Sequence, residues 1–290
     1  MKKDIKYYLK KAQKEGWALG QFNFSDFTQM KAIISAAKTA NSPVILGTSE
    51  GESSFFGLGE AVALRNFFRK TIGLSVFLNL DHGKSFDYLK QAMDAGYDMV
   101  HFDGSKLPLE ENIKITKEVV KYAKKKGVAV EGEVGVIGNE SSKLYSEKFQ
   151  INEENLTRPE DALKYIKATK VDLLAVSIGN FHGIEISGID PNLRIDVLKE
   201  IRSKTGDTAL VLHGGSGTPE DDIKEAIKLG IAKININTEL RLAFAGNVRR
   251  ALCNDKEEIV PYKFLADAKS SVEKVAMLKM KLFDSENKIY

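Results

Sequence analysis

The sequence contains four histidines, and three of them follow short apolar runs. His82 ends Leu78-Asn79-Leu80-Asp81-His82-Gly83, His182 follows Leu174–Gly179 through Asn180 and Phe181, and His213 ends Leu210-Val211-Leu212-His213. Three imidazoles around an open fourth position are the ligand set of a catalytic zinc or a similar divalent ion. Such an ion polarises a carbonyl or activates water. Asp81, Asp103 and Glu133 close runs of the same kind, which brings carboxylates for acid–base work to the same rim. Any one of these histidines alone reads as an ordinary satisfied polar residue; the set reads as a metal site. The fourth, His101, lies inside its run and reads as packing.

A second constellation suits an anion. In His213-Gly214-Gly215-Ser216-Gly217, backbone N–H groups can approach a phosphate without side-chain obstruction. Thr218-Pro219-Glu220-Asp221 then reads as a helix start, with a capping hydroxyl, proline at the first position and acids in the first turn. Asn235-Ile236-Asn237-Thr238 leads into another helical pattern. A lone glycine turn is more often just a turn; two side by side favour phosphate. Between Glu133 and Thr157 runs a long polar segment, and Glu140 is its obvious acid or base. Long loops at a catalytic rim often act as lids, although a plain solvated loop has the same composition.

These residues need a scaffold that gathers strand ends. Eight β-rich runs lie near residues 18–23, 43–48, 75–81, 98–103, 128–133, 172–178, 208–213 and 231–237, with helical patterns between most of them. Several helical patterns end in glycine, at Gly16, Gly96, Gly127 and Gly230, where a helix terminus favours a left-handed residue. Eight strand–helix alternations predict an α/β fold of the (β/α)8 TIM-barrel type. An open doubly wound sheet ranks second, because no G-x-G-x-x-G follows the first strand. Barrel enzymes build their sites at the C-terminal strand ends, with phosphate after strands seven and eight. Both constellations fall there.

The chain of 290 residues is expected to form one TIM-barrel domain over 1–290, with an N-terminal helix and a helical C-terminal extension. Six prolines and no low-complexity tract leave no sign of a linker. A hydrophobic share of 43% against 29% charged residues is that of a globular protein. Net charge is +3 with the signs interspersed, which gives no footprint for nucleic acid or membrane but suits an anionic small substrate. The charged start, Met1-Lys2-Lys3-Asp4, leads into no apolar signal core, and a single cysteine, Cys253, suits a reducing compartment; the expected location is the cytoplasm.

The ordered motifs resemble the class II, metal-dependent fructose-bisphosphate aldolases over nearly the whole chain. The carriers are Gly20-Gln21-Phe22-Asn23, Ser42 to Gly51, Leu80-Asp81-His82-Gly83, Glu131-Gly132-Glu133-Val134-Gly135, His182-Gly183, Val211 to Gly217, and Lys233 to Thr238. The resemblance implies that His82, His182 and His213 bind a catalytic Zn2+. It places Asp103 and Glu133 at a second divalent position and leaves room for a monovalent cation. Asp81 would move the proton on the C4 oxygen. Gly183, Gly214, Gly215, Ser216 and Asn235, Ile236, Asn237, Thr238 would hold the dihydroxyacetone-phosphate half of a phosphosugar, and Ser49 would touch the aldehyde half. It also implies a homodimer or larger homo-oligomer. Such a reaction needs no Schiff-base lysine, so Lys233 is not expected to act as one.

Two departures stand out. The family's loop commonly reads Gly-Gly-Gln-Glu-Asp-Asp, whereas here Gly138-Asn139-Glu140-Ser141-Ser142-Lys143 puts the glutamate one place early. After the fourth run, Gly104-Ser105-Lys106 replaces Ala-Ser-His; Lys106 reads first as surface charge and second as a phosphate contact. Tagatose bisphosphate or another ketose phosphate is an alternative substrate. A metal-dependent hydrolase or a non-catalytic sugar-phosphate binder are the readings from other classes.

Overall fold

The computed structural model describes residues 3–138, 143–186 and 190–289. Ten strands occur among them: β1 (Leu19–Asn23), β2 (Val44–Ser49), β3 (Val76–Gly83), β4 (Met99–Phe102), β5 (Ala129–Val134), β6 (Leu144–Tyr145), β7 (Leu173–Val176), β8 (Ile184–Glu185), β9 (Ala209–Leu212) and β10 (Ile231–Ile236). Eight of them close a parallel barrel in the order β1-β10-β9-β7-β5-β4-β3-β2. Each coincides with one of the eight predicted runs to within one or two residues at most ends. Helices alternate with them, so the fold is a (β/α)8 TIM barrel. The remaining pair, β6 and β8, forms a two-stranded parallel sheet outside the barrel.

Side-chain alternation sorts the barrel interior into layers. On β1, β3 and β5 the inward residues in order are Leu19, Gln21 and Asn23; Phe77, Asn79 and Asp81; and Ala129, Glu131 and Glu133. The lowest layer is apolar and packs with Ile45, Met99 and Leu173. Helix Ile5–Glu15 closes that end by laying Ile5, Tyr8, Leu9 and Ala12 against it, together with Trp17. Above it the interior turns polar. Asn79 donates to Gln21 at 2.8 Å and Gln21 to Asn23 at 3.0 Å, so the buried amides form a chain, with Asn79 Oδ1 left without a partner among the described residues. The outward residues Val76, Leu78, Leu80, Val130 and Val134 join the larger core between strands and helices.

Gly16, Gly96 and Gly127 end helices in the left-handed conformation, as predicted. The helix expected to start at Thr218 begins at Glu220, with Pro219 before it and no side-chain cap. Thr218 instead turns its hydroxyl back to the carbonyl of Gly214 at 3.0 Å, so it braces the glycine turn and not the helix. No helix of the described residues is long and apolar enough to cross a membrane.

Candidate metal and phosphosugar site

Strict alternation would turn Asp81 inward and His82 outward. Two features prevent this. The β3–β4 register shifts between Leu80 and Gly83, and His82 adopts a left-handed φ of +51°. A bulge at a strand end re-aims side chains, and here it brings two consecutive residues into one cavity. The left-handed backbone of a non-glycine residue costs about 1–2 kcal/mol. The His82 N–H, donating to Nδ1 of His101 at 3.1 Å, holds it there. His101 is fully buried, as expected, but it is not inert packing. It fixes His82, and its Nε2 lies 3.2 Å from the Glu133 carboxylate.

The imidazoles of His82 and His213 meet edge on, with Nε2 of one 3.1 Å from Nδ1 of the other. Their far nitrogens are both committed. His82 Nδ1 contacts the Asp103 carboxylate at 3.0 Å, and His213 Nε2 contacts Glu131 at 2.7 Å. A carboxylate on the far nitrogen fixes the tautomer and leaves the near lone pair for a cation. The 3.1 Å contact is that of an N–H···N hydrogen bond when one nitrogen carries a proton, and of two ligands of one cation when neither does. Tetrahedral zinc with Zn–N bonds of about 2.0–2.1 Å sets its ligand nitrogens roughly 3.3 Å apart, so the observed spacing fits a shared ion. His182 follows β7 on a loop, and its ring centroid lies 4.8 Å from that of His82 and 6.0 Å from that of His213. Its N–H donates to the Gly138 carbonyl at 2.8 Å, tying it to the segment after β5. Burial, with the rings of His82 and His213 adding to it, holds His182 well below its ordinary pKa, in the neutral form that binds metal. Burial also lowers His213, despite Glu131. Two donor sets share His82: one with Asp81, His101 and His213, and one with Asp103 and Glu133, the ligand atoms within each lying within 4.8 Å of one another. Glu133 Oε2 is buried, with His101 Nε2 at 3.2 Å but outside good hydrogen-bond geometry.

Asp81 stands in the same cavity with both oxygens engaged. Asn23 donates to one and Asn235 to the other, each at 3.1 Å. Burial alone would raise its pKa, but its neighbours His82, His101, His213 and Lys233 outweigh this and keep it well below the carboxylate range. It is therefore ionised at neutral pH. Lys233 is fully buried, held by Glu131 at 2.8 Å and Asn235 at 2.7 Å. It does not line the cavity, where an iminium-forming lysine would have to stand, and serves as the counter-ion of Glu131.

The cavity over these groups measures about 750 Å3. Ser49, Gly183, Gly214 and Ser216 line it, as do Asn235, Asn237 and Thr238. Two residues predicted for the phosphate half do not reach it. Ile236 is fully buried behind the wall, and a Cβ on Gly215 would strike Ile234, so both serve the wall's packing. Lys106, read as surface charge, lines the cavity instead, and Lys84 and Arg241 add further cations there. Glu140 lies outside the described residues. Sequence reasoning missed Asn23, Glu52, Glu131 and Arg241. Glu52 joins Asn23 at 3.1 Å to Arg241 at 2.6 Å, linking the barrel interior to the cationic rim. Glu131 and Lys233 carried a usable signal, since a charge inside an apolar β-run demands a buried partner.

Residues 3–288 match the family described as fructose-bisphosphate aldolase class II. A fructose-bisphosphate aldolase of Staphylococcus aureus is 38% identical over 289 residues, covering 98% of each chain. One of Geobacillus stearothermophilus is 37% identical over 287 residues, covering 98% of this chain and 97% of its own. Among solved structures, the YdjI aldolase of Escherichia coli K12 superposes with a TM-score of 0.83 at 30% identity, covering 99% of both chains. The matches run through the barrel strands and the loops that carry the imidazoles, and the chain belongs to the class II fructose-bisphosphate aldolase family.

Proposed function

We propose that the protein reversibly cleaves fructose 1,6-bisphosphate into dihydroxyacetone phosphate and glyceraldehyde 3-phosphate. The observation that carries the reading is the side-by-side placement of an ionised carboxylate, Asp81, and a converging imidazole set in one cavity with an anion cradle. His82, His182 and His213 would hold a zinc ion, and Asp103 and Glu133 an alternative divalent position. When bound, that ion supplies Lewis-acid polarisation of the ketone oxygen. Asp81 takes the proton from the C4 hydroxyl as the C3–C4 bond breaks, and the bonding pair moves toward C2. The two asparagine N–H donors fix the carboxylate's plane without protonating it. Glu140 would return a proton to C3 of the dihydroxyacetone-phosphate half.

Gly183, Gly214, Ser216 and Asn235 to Thr238 would receive that half's phosphate through backbone N–H groups and small side chains. Ser49 caps the helix Glu50–Phe56 by accepting from the Glu52 N–H. Its own hydroxyl hydrogen is then available to the aldehyde half.

Coupled cleavage of fructose and tagatose bisphosphates, each with and without a chelator, tests the reading. Turnover of the fructose substrate that chelation abolishes and zinc restores is expected. Chelator-resistant turnover rejects the metal mechanism, and preference for the tagatose epimer moves the substrate within the class. In the same assay Glu140→Ala should lower kcat by about 10²–10⁴-fold, the usual worth of a positioned acid or base, with KM little changed. An unaltered kcat removes Glu140 from the mechanism.

A further inference from the structure

The opposite end of the barrel holds a second concavity, of about 760 Å3. That volume lies in the range of small-molecule sites. Its floor is apolar, with Leu9 and Ala209 both buried. Its rim is cationic. Lys6, Lys10 and Lys14 recur every four residues along helix Ile5–Glu15, and Lys228 and Arg202 stand with them around the opening. Only two carboxylates, Asp172 and Asp207, line it as well. Five cations against two carboxylates leave an excess of three, equal to the net charge of +3 carried by the whole chain.

The local pairing leaves part of that charge unspent. Lys6 bonds Asp172 at 2.7 Å, and Lys228 lies 3.8 Å from Glu225. Among the described residues, Lys10 and Lys14 have no carboxylate within ion-pair distance. Lysines four apart on a helix repel one another, and an anion between them would remove the repulsion. Arg202 is held in place through Nη2, which donates to Thr205 at 3.0 Å and to the Thr208 carbonyl at 2.6 Å. Its Nε–H is buried with no acceptor among the described residues. A helix rises about 1.5 Å per residue, so Lys6 and Lys14 are spread over about 12 Å. A single phosphate cannot engage such a row, whereas a molecule with two or more separated phosphates can.

We propose that this concavity binds a small polyanion bearing at least two phosphate groups, on the face of the barrel away from the imidazole cluster. Lysines 10 and 14 and Arg202 provide the charge, and the apolar floor takes the uncharged part of the ligand. Titration calorimetry on the metal-loaded protein, with inorganic tripolyphosphate and orthophosphate as probes in 150 mM KCl, tests it. Tripolyphosphate is expected to bind at least tenfold more tightly than orthophosphate. Lys10→Gln/Lys14→Gln, both at exposed positions, should weaken tripolyphosphate binding at least tenfold while kcat and KM for aldol cleavage without the probe stay unchanged. The single Arg202→Gln variant should weaken it as well. Equal tripolyphosphate affinity in the wild type and the lysine variant overturns the proposal, as does equal affinity for the two probes.

Discussion

Glu131 shows how a single side chain can govern a site it does not line. It is fully buried, and its two oxygens bind His213 at 2.7 Å and Lys233 at 2.8 Å. The lysine neutralises it, and it in turn fixes which nitrogen of His213 faces the cavity. Replacing a carboxylate behind a metal-binding imidazole typically costs 10–100-fold in metal affinity. Glu131→Gln should lower zinc affinity by about that factor, measured by competition with a chromogenic chelator; an unchanged affinity would show that His213 needs no such orientation. The substitution also strands the Lys233 charge, and a buried pair broken on one side costs about 3–5 kcal/mol. Glu131→Gln/Lys233→Met should regain stability without regaining metal affinity, which separates the two effects. At this scale the sequence was half legible. The three histidines stood out because they are rare and sit at strand ends. Glu133 and Asn235 were legible too, but Glu131 and its pairing with Lys233 were not, because spacing by two marks a shared face but not which face is inward.

The turns carry the site's tolerances. Gly214 has φ of +63°, and a Cβ there would lie 1.9 Å from the carbonyl oxygen of Phe181, the residue before His182. The turn after β9 and the loop after β7 thus touch through backbone alone. Gly214→Ala should destabilise the fold by more than about 2 kcal/mol, through the clash and the positive φ together, and should raise KM by displacing the loop that carries His182. Gly51 lines the same cavity but meets nothing within 4 Å of a built Cβ. It lies in a helix, so Gly51→Ala should be neutral or stabilising by up to about 1 kcal/mol. Denaturant midpoints of the two variants check the contrast; equal losses would mean that the turn is not the constraint. Sequence reading found this turn but assigned Thr218 to the next helix. A hydroxyl beside proline suits either partner, and only the packing of the loop on Gly214 chooses.

For the whole molecule, the separation of layers means that metal and fold are only loosely dependent on each other. The imidazole cluster occupies the top of the barrel, while the apolar base is sealed by helix Ile5–Glu15 and the larger core lies outside the strands. Chelated protein should keep its far-UV circular dichroism. Its Tm should drop by about 5 °C, because an ion at a hundred times its Kd contributes about 2.7 kcal/mol and each kcal/mol moves a domain of this size by roughly 2 °C. Loss of secondary structure on chelation would show that the ion also holds the barrel together. The eight strands were legible because each is a compact apolar run and several follow a helix-ending glycine. The small β6–β8 sheet was not, since strands of two residues leave no period to read.

The bulge at His82 carries a consequence for how this chemistry can change. In a straight strand, an acid and an imidazole that share a face must have one residue between them. Here they are neighbours, joined by one peptide unit whose left-handed geometry keeps them together. With the roles proposed for Asp81 and His82, proton transfer and metal capture would not drift apart under selection: a substitution that lets this peptide relax would turn one partner out of the cavity and disturb both at once. The adjacent Asp–His pair is also a signature in its own right, since it can be sought at strand ends of unrelated barrels as the mark of a base and a ligand mounted on one hinge.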